Sequence, residues 1–236
     1  MRSGCMPGVL KLTLAAAALA AMLYGAWRAY TLYAPDHYDI TAPLDLTAKP
    51  TFVTAWKLRA ADAPACFAAL ERAGIQFQRL PDEERGEGCV FENVARLEQS
   101  AISWGGGVTL TCQMLAGVAQ WERHTLQPAA EALFDSRVVR VRHYGTYACR
   151  NVNNASTGRR SQHALANAVD VAGFDLENGV TISVLDHWDK DTPEGAFLEQ
   201  AHAGACGFFG SVLGPDYNAL HRNHFHFDKG GFMVCR

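Results

Sequence analysis

An apolar segment near the N-terminus constrains this chain most, because it determines the compartment in which the rest must fold. Leu12 to Trp27 contains no charged residue, follows Lys11 and ends at Arg28. The segment is shorter than the roughly 20 residues that cross a bilayer comfortably and longer than an ordinary signal-peptide core. We favour an uncleaved membrane anchor with a single pass over a cleaved signal. Both interpretations place the following domain in the periplasm or another extracytoplasmic space.

The cysteines agree with export. Cys5 precedes the apolar segment, and the other six follow it without forming a CxxC pair: Cys66, Cys89, Cys112, Cys149, Cys206 and Cys235. Outside a membrane, an even number of cysteines indicates a disulfide framework. We expect Cys206 to pair with Cys235 and Cys66 with Cys89, although spacing leaves other connectivities open. A catalytic thiol at Cys149 is the alternative.

The remaining chain suits one globular domain with a small subdomain before it. We assign residues 1–30 to the anchor or signal segment, 31–53 to a proline-containing tether, 54–106 to an N-terminal subdomain and 107–236 to the main domain. Charged residues make up 19% of the chain and the formal net charge is -3, which argues against a nucleic-acid partner. We expect a monomer.

Hydrophobic periodicity predicts an α+β fold, in which helices flank an antiparallel sheet that carries the functional site. The predicted helices are 62–74, Cys112 to about Phe134 with a break near Pro128, and 194–205. The predicted strands are 75–80, 108–111, 138–144, 169–174 and 180–185, with a closing hairpin of 225–227 and 232–234 and a turn-rich segment over 81–88.

Three histidines lie within the six residues His221 to His226. If residues 225–227 form a strand, the side chains of His224 and His226 project from one face, because strand side chains alternate with period two. One pocket can then receive both imidazoles. The alternative is a pair of solvated polar positions on a half-exposed strand.

A second cluster places His163 seven residues before Asp170, at the start of an apolar strand. Burial of an unpaired carboxylate is costly, so Asp170 must meet an arginine, hydrogen-bond donors or a metal. Arg159 or Arg160 is the alternative partner. The two clusters together supply two imidazoles and one carboxylate, which is the ligand set of a catalytic zinc that keeps its fourth position for water.

These clusters resemble two signatures of a known enzyme group. Ser161, His163, Ala168 and Asp170 match the SxHxxGxAxD pattern of zinc D-alanyl-D-alanine carboxypeptidases, dipeptidases and murein endopeptidases, and the segment from His221 to His226 matches their HxxHxH pattern. A wider resemblance is to the bacterial extensin-like C-terminal domain family. It extends from Pro43 to Arg236 and includes the segments Tyr147 to Asn151, Trp121 to His124 and Gly214 to Asn218.

The resemblance implies a zinc (Zn2+) peptidase that acts on the peptide stems of peptidoglycan. It makes His163, Asp170 and His226 the metal ligands and His224 the general base. His221 would either support these residues from behind or take part in proton transfer. Arg150 precedes the first ligand and would bind a substrate carboxylate or the developing oxyanion. Hydrolysis would use a metal-activated water and no covalent intermediate.

One position departs from the signature, since Ala166 stands where the pattern has glycine. Alanine disfavours some backbone angles that glycine permits, so the turn between His163 and Asp170 is expected to differ. This departure motivates an alternative function, an inactive wall-binding or structural module on the same fold. Two weaker alternatives are a non-haem iron oxygenase, which uses the same ligand types, and a nucleophilic Ser161.

Overall fold

The computed structural model describes residues 8–33, 39, 41–231 and 233–236. Contacts between residues divide the chain into two compact units, Met1–Ala42 and Pro43–Arg236. The first unit contains one long helix. The second contains the cysteine pairs, the sheets and every candidate site residue.

Helix α1 spans Gly8–Tyr33. Its segment Leu12–Tyr30 is long and apolar enough to cross a membrane, and no other described helix meets this test. The described side chains of the segment are exposed. This confirms an apolar N-terminal helix that could serve as a membrane anchor or a signal sequence, and both the role and the choice between the two stay predictions.

The second unit is built on a six-stranded sheet. Its strands are β6 Val138–Gly145, β7 Ala168–Leu176, β8 Thr181–Ser183, β9 Ser211–Leu213, β10 Phe225–Asp228 and β11 Val234–Cys235. Their order is β11-β9-β10-β7-β6, with β8 also paired to β7, and all pairs are antiparallel except β11 with β9. A three-stranded sheet and a hairpin precede it, with β1 Gln76–Arg79, β2 Glu83–Gly86, β3 Cys89–Phe91, β4 Val94–Gln99 and β5 Thr109–Thr111. The predicted α+β class is confirmed.

Six further helices accompany these sheets: α2 Phe52–Ala60, α3 Ala63–Arg72, α4 Cys112–Trp121, α5 Gln127–Phe134, α6 Val184–His187 and α7 Pro193–Ala205. A π-helical turn, Glu122–Leu126, joins α4 to α5. The predicted long helix is therefore present, but its distortion precedes Pro128 by a turn. Pro128 has no backbone N–H to donate, and it lies in the first turn of α5 directly after the widened turn.

Trp121 at the end of α4 anchors the core against one face of the large sheet. Its indole ring packs edge-to-face on Phe227 at a centroid distance of 5.1 Å and lies 5.9 Å from Phe174. Its Nε1 donates to the carbonyl of Ala201 on α7 at 2.9 Å. Because Phe225 and Phe227 face this core, the intervening residue of β10 must face the opposite side.

The disulfides differ in part from expectation. Cys206 pairs with Cys235 as predicted, whereas Cys66 pairs with Cys112 and Cys89 with Cys149. The predicted Cys66–Cys89 bond is wrong, because α3 packs against α4 and brings Cys66 to the N-terminus of α4. Cys149 is cross-linked and has no free thiol for catalysis.

The predicted closing hairpin is also wrong. β10 has a partner on both edges, β7 on one side and β9 on the other, so no edge remains for the C-terminal strand. β11 instead pairs in parallel with β9. Phe232, which the prediction included, lies outside the described residues.

Two other segments differ locally from their predictions. The segment over residues 81–88, predicted as turns, contains β2, and the strand predicted over 180–185 ends when α6 begins at Val184.

Residues 43–53, predicted as part of a tether, belong to the second compact unit, where Leu44 and Leu46 are buried. Residues on both sides of the predicted boundary at 106 lie in the same unit.

Glu122, the first residue of the π-helical turn, is fully buried. Its Oε1 accepts hydrogen bonds from Ser100 Oγ at 2.8 Å and Trp104 Nε1 at 2.6 Å. Burial raises the pKa of Glu122 to about 7, against the lowering effect of these two hydrogen bonds. The folded protein therefore keeps this carboxyl protonated in a pH range where the unfolded chain has already released the proton.

We expect Glu122→Gln to flatten the pH dependence of stability. The pKa of Glu122 rises from 4.5 unfolded to about 7 folded. Its contribution is therefore complete below pH 4.5 and is lost as pH rises through about 7. The free energy of unfolding of the variant, measured with urea, should gain about 3 kcal/mol over wild type between pH 4 and pH 8. Exposed Glu98→Gln serves as the control, and an equal pH response of wild type and Glu122→Gln would contradict this origin.

Candidate metal centre

The register between β7 and β10 places Asp170 opposite His226. The two residues are direct antiparallel partners. Directly opposed side chains on one face have Cβ atoms about 4.5–5.5 Å apart. His226 Nδ1 accordingly lies 2.9 Å from Asp170 Oδ1. Two strands that are 56 residues apart in sequence thus supply one imidazole and one carboxylate to the same point.

The third residue, His163, comes from the 3-10 turn Gln162–Leu165 immediately before β7. The Ser161 hydroxyl caps this turn by accepting from the backbone N–H of His163 at 3.3 Å. His163 Nε2 lies 3.3 Å from Asp170 Oδ2 and 3.3 Å from His226 Nδ1. Ser161 therefore acts as a helix cap that positions His163.

Ala166 ends this turn in the left-handed conformation, with φ 51° and ψ 31°. Its backbone N–H points back to the carbonyls of Gln162 and His163, as in a regular helix end. Alanine thus adopts the type of backbone angle that glycine would favour, at a cost of about 1–2 kcal/mol. The difference that we expect from a turn with glycine at this position stays a prediction.

Hydrogen bonds on the far sides of the two rings fix their tautomers. His163 Nδ1 lies 3.2 Å from the carbonyl oxygen of Thr146, and His226 Nε2 lies 3.1 Å from Asp228 Oδ2. Both partners can only accept, so both of these ring nitrogens carry a proton. The inner nitrogens, His163 Nε2 and His226 Nδ1, then present lone pairs toward Asp170.

Three acceptor atoms thus face one another. The candidate ligand atoms of His163, Asp170 and His226 all lie within 4.8 Å of one another. Partly buried acceptors at this spacing repel unless a cation or a proton lies between them. Two imidazoles and a carboxylate suit a divalent transition metal. The group predicted from sequence is therefore assembled as a possible metal centre.

Charge effects in the group are strong. Burial alone would raise the pKa of Asp170, but its interactions with the His163 and His226 rings outweigh burial and hold the pKa far below its usual range. Burial would lower the pKa of His226, but the hydrogen bonds to Asp170 and Asp228 raise it to about 9. Without a metal, a second proton on the His226 ring supplies a positive charge next to the carboxylates of Asp170 and Asp228.

His224 lies beside the group, as predicted. Its Nε2 is 3.6 Å from Asp170 Oδ1, and its Nδ1 donates to Asn223 Oδ1 at 2.9 Å. In the orientation that the structure shows, Asn223 Nδ2 donates to the Tyr144 hydroxyl at 3.3 Å, so Oδ1 is the amide atom that faces His224. His224 Nε2 is therefore the unprotonated nitrogen in the neutral ring, and it faces the site.

His221 completes the histidine cluster, with its ring centroid 5.2 Å from that of His224 and 5.9 Å from that of His226. Its Nδ1 pairs with Asn218 Oδ1 at 2.8 Å, which again leaves Nε2 as the acceptor. Burial, together with the neighbouring imidazoles of His224 and His226, lowers the pKa of His221 to about 4. Burial also lowers the pKa of His224. Both rings are therefore neutral at pH 7.

These side chains line one cavity of about 540 Å³, a size that fits a small ligand or a peptide end. Arg150, Arg159 and Arg160 line the same cavity. Arg160 donates to Asn151 Oδ1 at 3.1 Å. The described ion pairs of Asp170 are all with histidines, so the alternative pairing with Arg159 or Arg160 is not found.

The sequence prediction missed the residues that support the ligands. Asp228 could have been found, because it continues the period-two series of His224 and His226 along β10. Asn218 and Asn223 lie within the histidine-rich segment, but nothing in sequence indicates that their amides orient rings. Thr146 contacts His163 through its backbone carbonyl, which every residue has, so the sequence carries no sign of this contact.

Asp228→Asn should weaken the affinity of the centre for a divalent metal, with zinc as the probe, about 10- to 100-fold, because a carboxylate that holds a ligating histidine fixes its tautomer and raises its basicity. The measurement is competition for zinc between the protein and a chromophoric chelator. Asp216→Asn, a change of the same kind at a position that does not line this cavity, is the matched control. Equal affinities of wild type and Asp228→Asn would show that the contact does not support the metal.

Comparison with known proteins adds one finding. A family model described as Extensin-like protein C-terminus matches residues 64–236. No curated protein and no solved structure shows significant similarity to the chain.

Proposed function

The chain belongs to the Extensin-like protein C-terminus family, and we propose that it is an exported zinc-dependent peptidase that hydrolyses the peptide stems of peptidoglycan. The observation that carries this proposal is the convergence of His163, Asp170 and His226, whose ligand atoms lie within 4.8 Å of one another. The resemblance to zinc carboxypeptidases and murein endopeptidases at the same residues supports it.

The donor set fits zinc. With a metal bound in place of the proton on His226, the inner nitrogens of both rings would be its ligand atoms, and each ring is oriented by a partner on its far side, the carbonyl of Thr146 or the carboxylate of Asp228. The six cysteines that follow the N-terminal helix all form disulfides, so none of them offers a thiolate that would compete for the metal. When bound, zinc would supply a Lewis acid that activates water and polarises the scissile carbonyl.

In the proposed mechanism, His224 is the general base. Its Nε2 takes a proton from the attacking water and returns it to the leaving amine, so that the C–N bond of the peptide breaks while the new C–O bond remains. Asn223 holds the opposite ring nitrogen and keeps Nε2 directed at the site. His221, next to His224, supports its neutral form or relays the proton.

Arg150 binds either a substrate carboxylate or the negative oxygen that develops during attack. Its guanidinium is close enough to His224 to lower the pKa of that histidine. A guanidinium presents a fixed fork of donors that suits a carboxylate or an oxyanion. Stem peptides end in carboxylates, and the cationic lining formed with Arg159 and Arg160 suits such ends.

The N-terminal helix and the disulfides support the proposed location of the reaction. Helix α1 would anchor or export the domain, and three disulfides suit an oxidising space outside the cytoplasm. Peptidoglycan lies in the same space. We therefore propose a monomeric enzyme in the periplasm or its equivalent, without a nucleic-acid partner.

The test is to incubate the full chain, purified in detergent and loaded with zinc, with purified muropeptides and to analyse the products by mass spectrometry. We expect released D-alanine or cleaved cross-links, loss of the activity with a chelator, and its recovery when zinc is added. Zinc-loaded protein that leaves every muropeptide intact would instead support the wall-binding module. Metal analysis that finds iron would support the oxygenase.

A further inference from the structure

A second cavity lies in the same compact unit, apart from the metal centre. Its volume is about 470 Å³, and its lining includes residues of α2 and α4, the segments 206–210 and 229–231, and Met233. The walls are largely apolar, with Leu58, Phe208, Phe209 and Met233 among them. Phe232 lies outside the described residues, so the lining is given for the others.

Lys229 brings a positive charge into this cavity. Its stem packs over Gly117 of α4, where an added Cβ would lie 3.3 Å from Lys229 Cε and 3.0 Å from the Phe209 ring. Its Nζ lies 6.0 Å from the centroid of the Phe209 ring. The absence of a side chain at Gly117 therefore makes room for the lysine stem, which is held between α4 and an aromatic ring.

Two amides on α4 face the same cavity. Gln113, Gly117 and Gln120 are spaced i, i+4 and i+7, which places them on one face of the helix. Both glutamines line the cavity. Gln120 is only 3% exposed, and its Nε2 is a buried donor without a hydrogen-bond partner among the described residues. A buried donor left unpaired is costly and marks a place where an acceptor belongs.

The cavity lacks the counter-charge that would satisfy these donors. Lys229 and Arg59 both line it, and none of its described lining residues is Asp or Glu. Burial, together with the neighbouring charge of Arg59, lowers the pKa of Lys229 to about 8. The ammonium is thus destabilised by its surroundings in the absence of an anion.

We propose that this cavity binds a small organic anion, a carboxylate with an apolar body. The carboxylate accepts from the Lys229 ammonium and the Gln120 amide, and the apolar body packs against Phe208, Phe209 and Met233. A charge-assisted hydrogen bond from lysine is among the stronger contacts available to a carboxylate. This site is independent of the proposed peptidase activity, because it shares no residue with the three metal ligands.

The test uses the full chain in detergent, titrated calorimetrically with hexanoate and phenylacetate and with their uncharged amides. The same titrations on Asp170→Ala remove zinc as a competing carboxylate ligand. We expect the carboxylates to bind and the amides to bind at least about ten-fold more weakly, since one charged hydrogen bond accounts for a factor of that order. Carboxylates and amides that bind equally, or no binding by either carboxylate, would overturn the proposal.

Variants locate the site. Lys229→Met keeps the stem and removes the charge, and Gln120→Glu places a carboxylate where the ligand's would lie. Both should weaken hexanoate binding at least about ten-fold without changing zinc content. Lys190→Met, at an exposed position outside the cavity, is the matched control and should bind as wild type does. Unchanged affinity in Lys229→Met would assign the binding to another place and refute the site.

Discussion

Asp170→Ala is expected to lower bound zinc from one equivalent per chain to background. Asp170 is the only carboxylate among the three converging groups, and it lies within 3.3 Å of a ring nitrogen of both His163 and His226. Its removal leaves two neutral imidazoles, which hold a divalent cation much more weakly than a set that includes a negative ligand. His163→Ala should have the same effect, because it removes the ligand from the 3-10 turn. Metal content measured by plasma mass spectrometry after dialysis decides the outcome.

Asp175→Ala is the matched control for this experiment. Asp175 lies on the same strand, pairs with Arg142 at the surface, and does not line the cavity. Its loss costs no more than an exposed ion pair, about 0–1 kcal/mol, and should leave zinc bound. If Asp170→Ala and His163→Ala both retained one zinc per chain, the ligand assignment would fail.

The second large effect is expected from His224→Gln, which should lower kcat for muropeptide hydrolysis about 100- to 10,000-fold while zinc stays bound. The change removes the nitrogen that would take the proton from water but leaves the three ligands in place. Rates of product release, with zinc content measured on the same samples, separate loss of the base from loss of the metal.

His187→Gln is the control, because His187 is a histidine at the end of α6 that does not line the cavity. A small change in kcat is expected there. Should His224→Gln hydrolyse muropeptides at the wild-type rate, the general base would have to be another group.

The sequence was sufficient to identify the site because its pattern is local at each of its two halves. The period of two along a strand puts His224 and His226 on one face, and the turn before β7 places His163 near Asp170. What joins the halves is the strand register, which pairs His226 with Asp170. Sequence patterns do not report register. The residue types of the two halves suggested one metal site, and the family resemblance assigned its ligands residue by residue.

The sequence predictions were wrong where packing between residues distant in the chain decides the structure. Cys66 bonds to Cys112 because two helices pack together, and neither residue carries a local sign of this. β11 avoids β10 because both edges of β10 are already paired. Ala166 shows the opposite case, in which a local preference against a left-handed angle is overridden by the hydrogen bonds that close the turn.

X-ray absorption at the zinc edge on the full chain, combined with an anomalous difference map from crystals, tests the proposed metal centre most directly. We expect one zinc bound by two imidazole nitrogens and one carboxylate oxygen at about 2.0–2.2 Å, at the point between His163, Asp170 and His226. A zinc coordinated by sulfur, or no anomalous peak between these three side chains in zinc-loaded crystals, would contradict it.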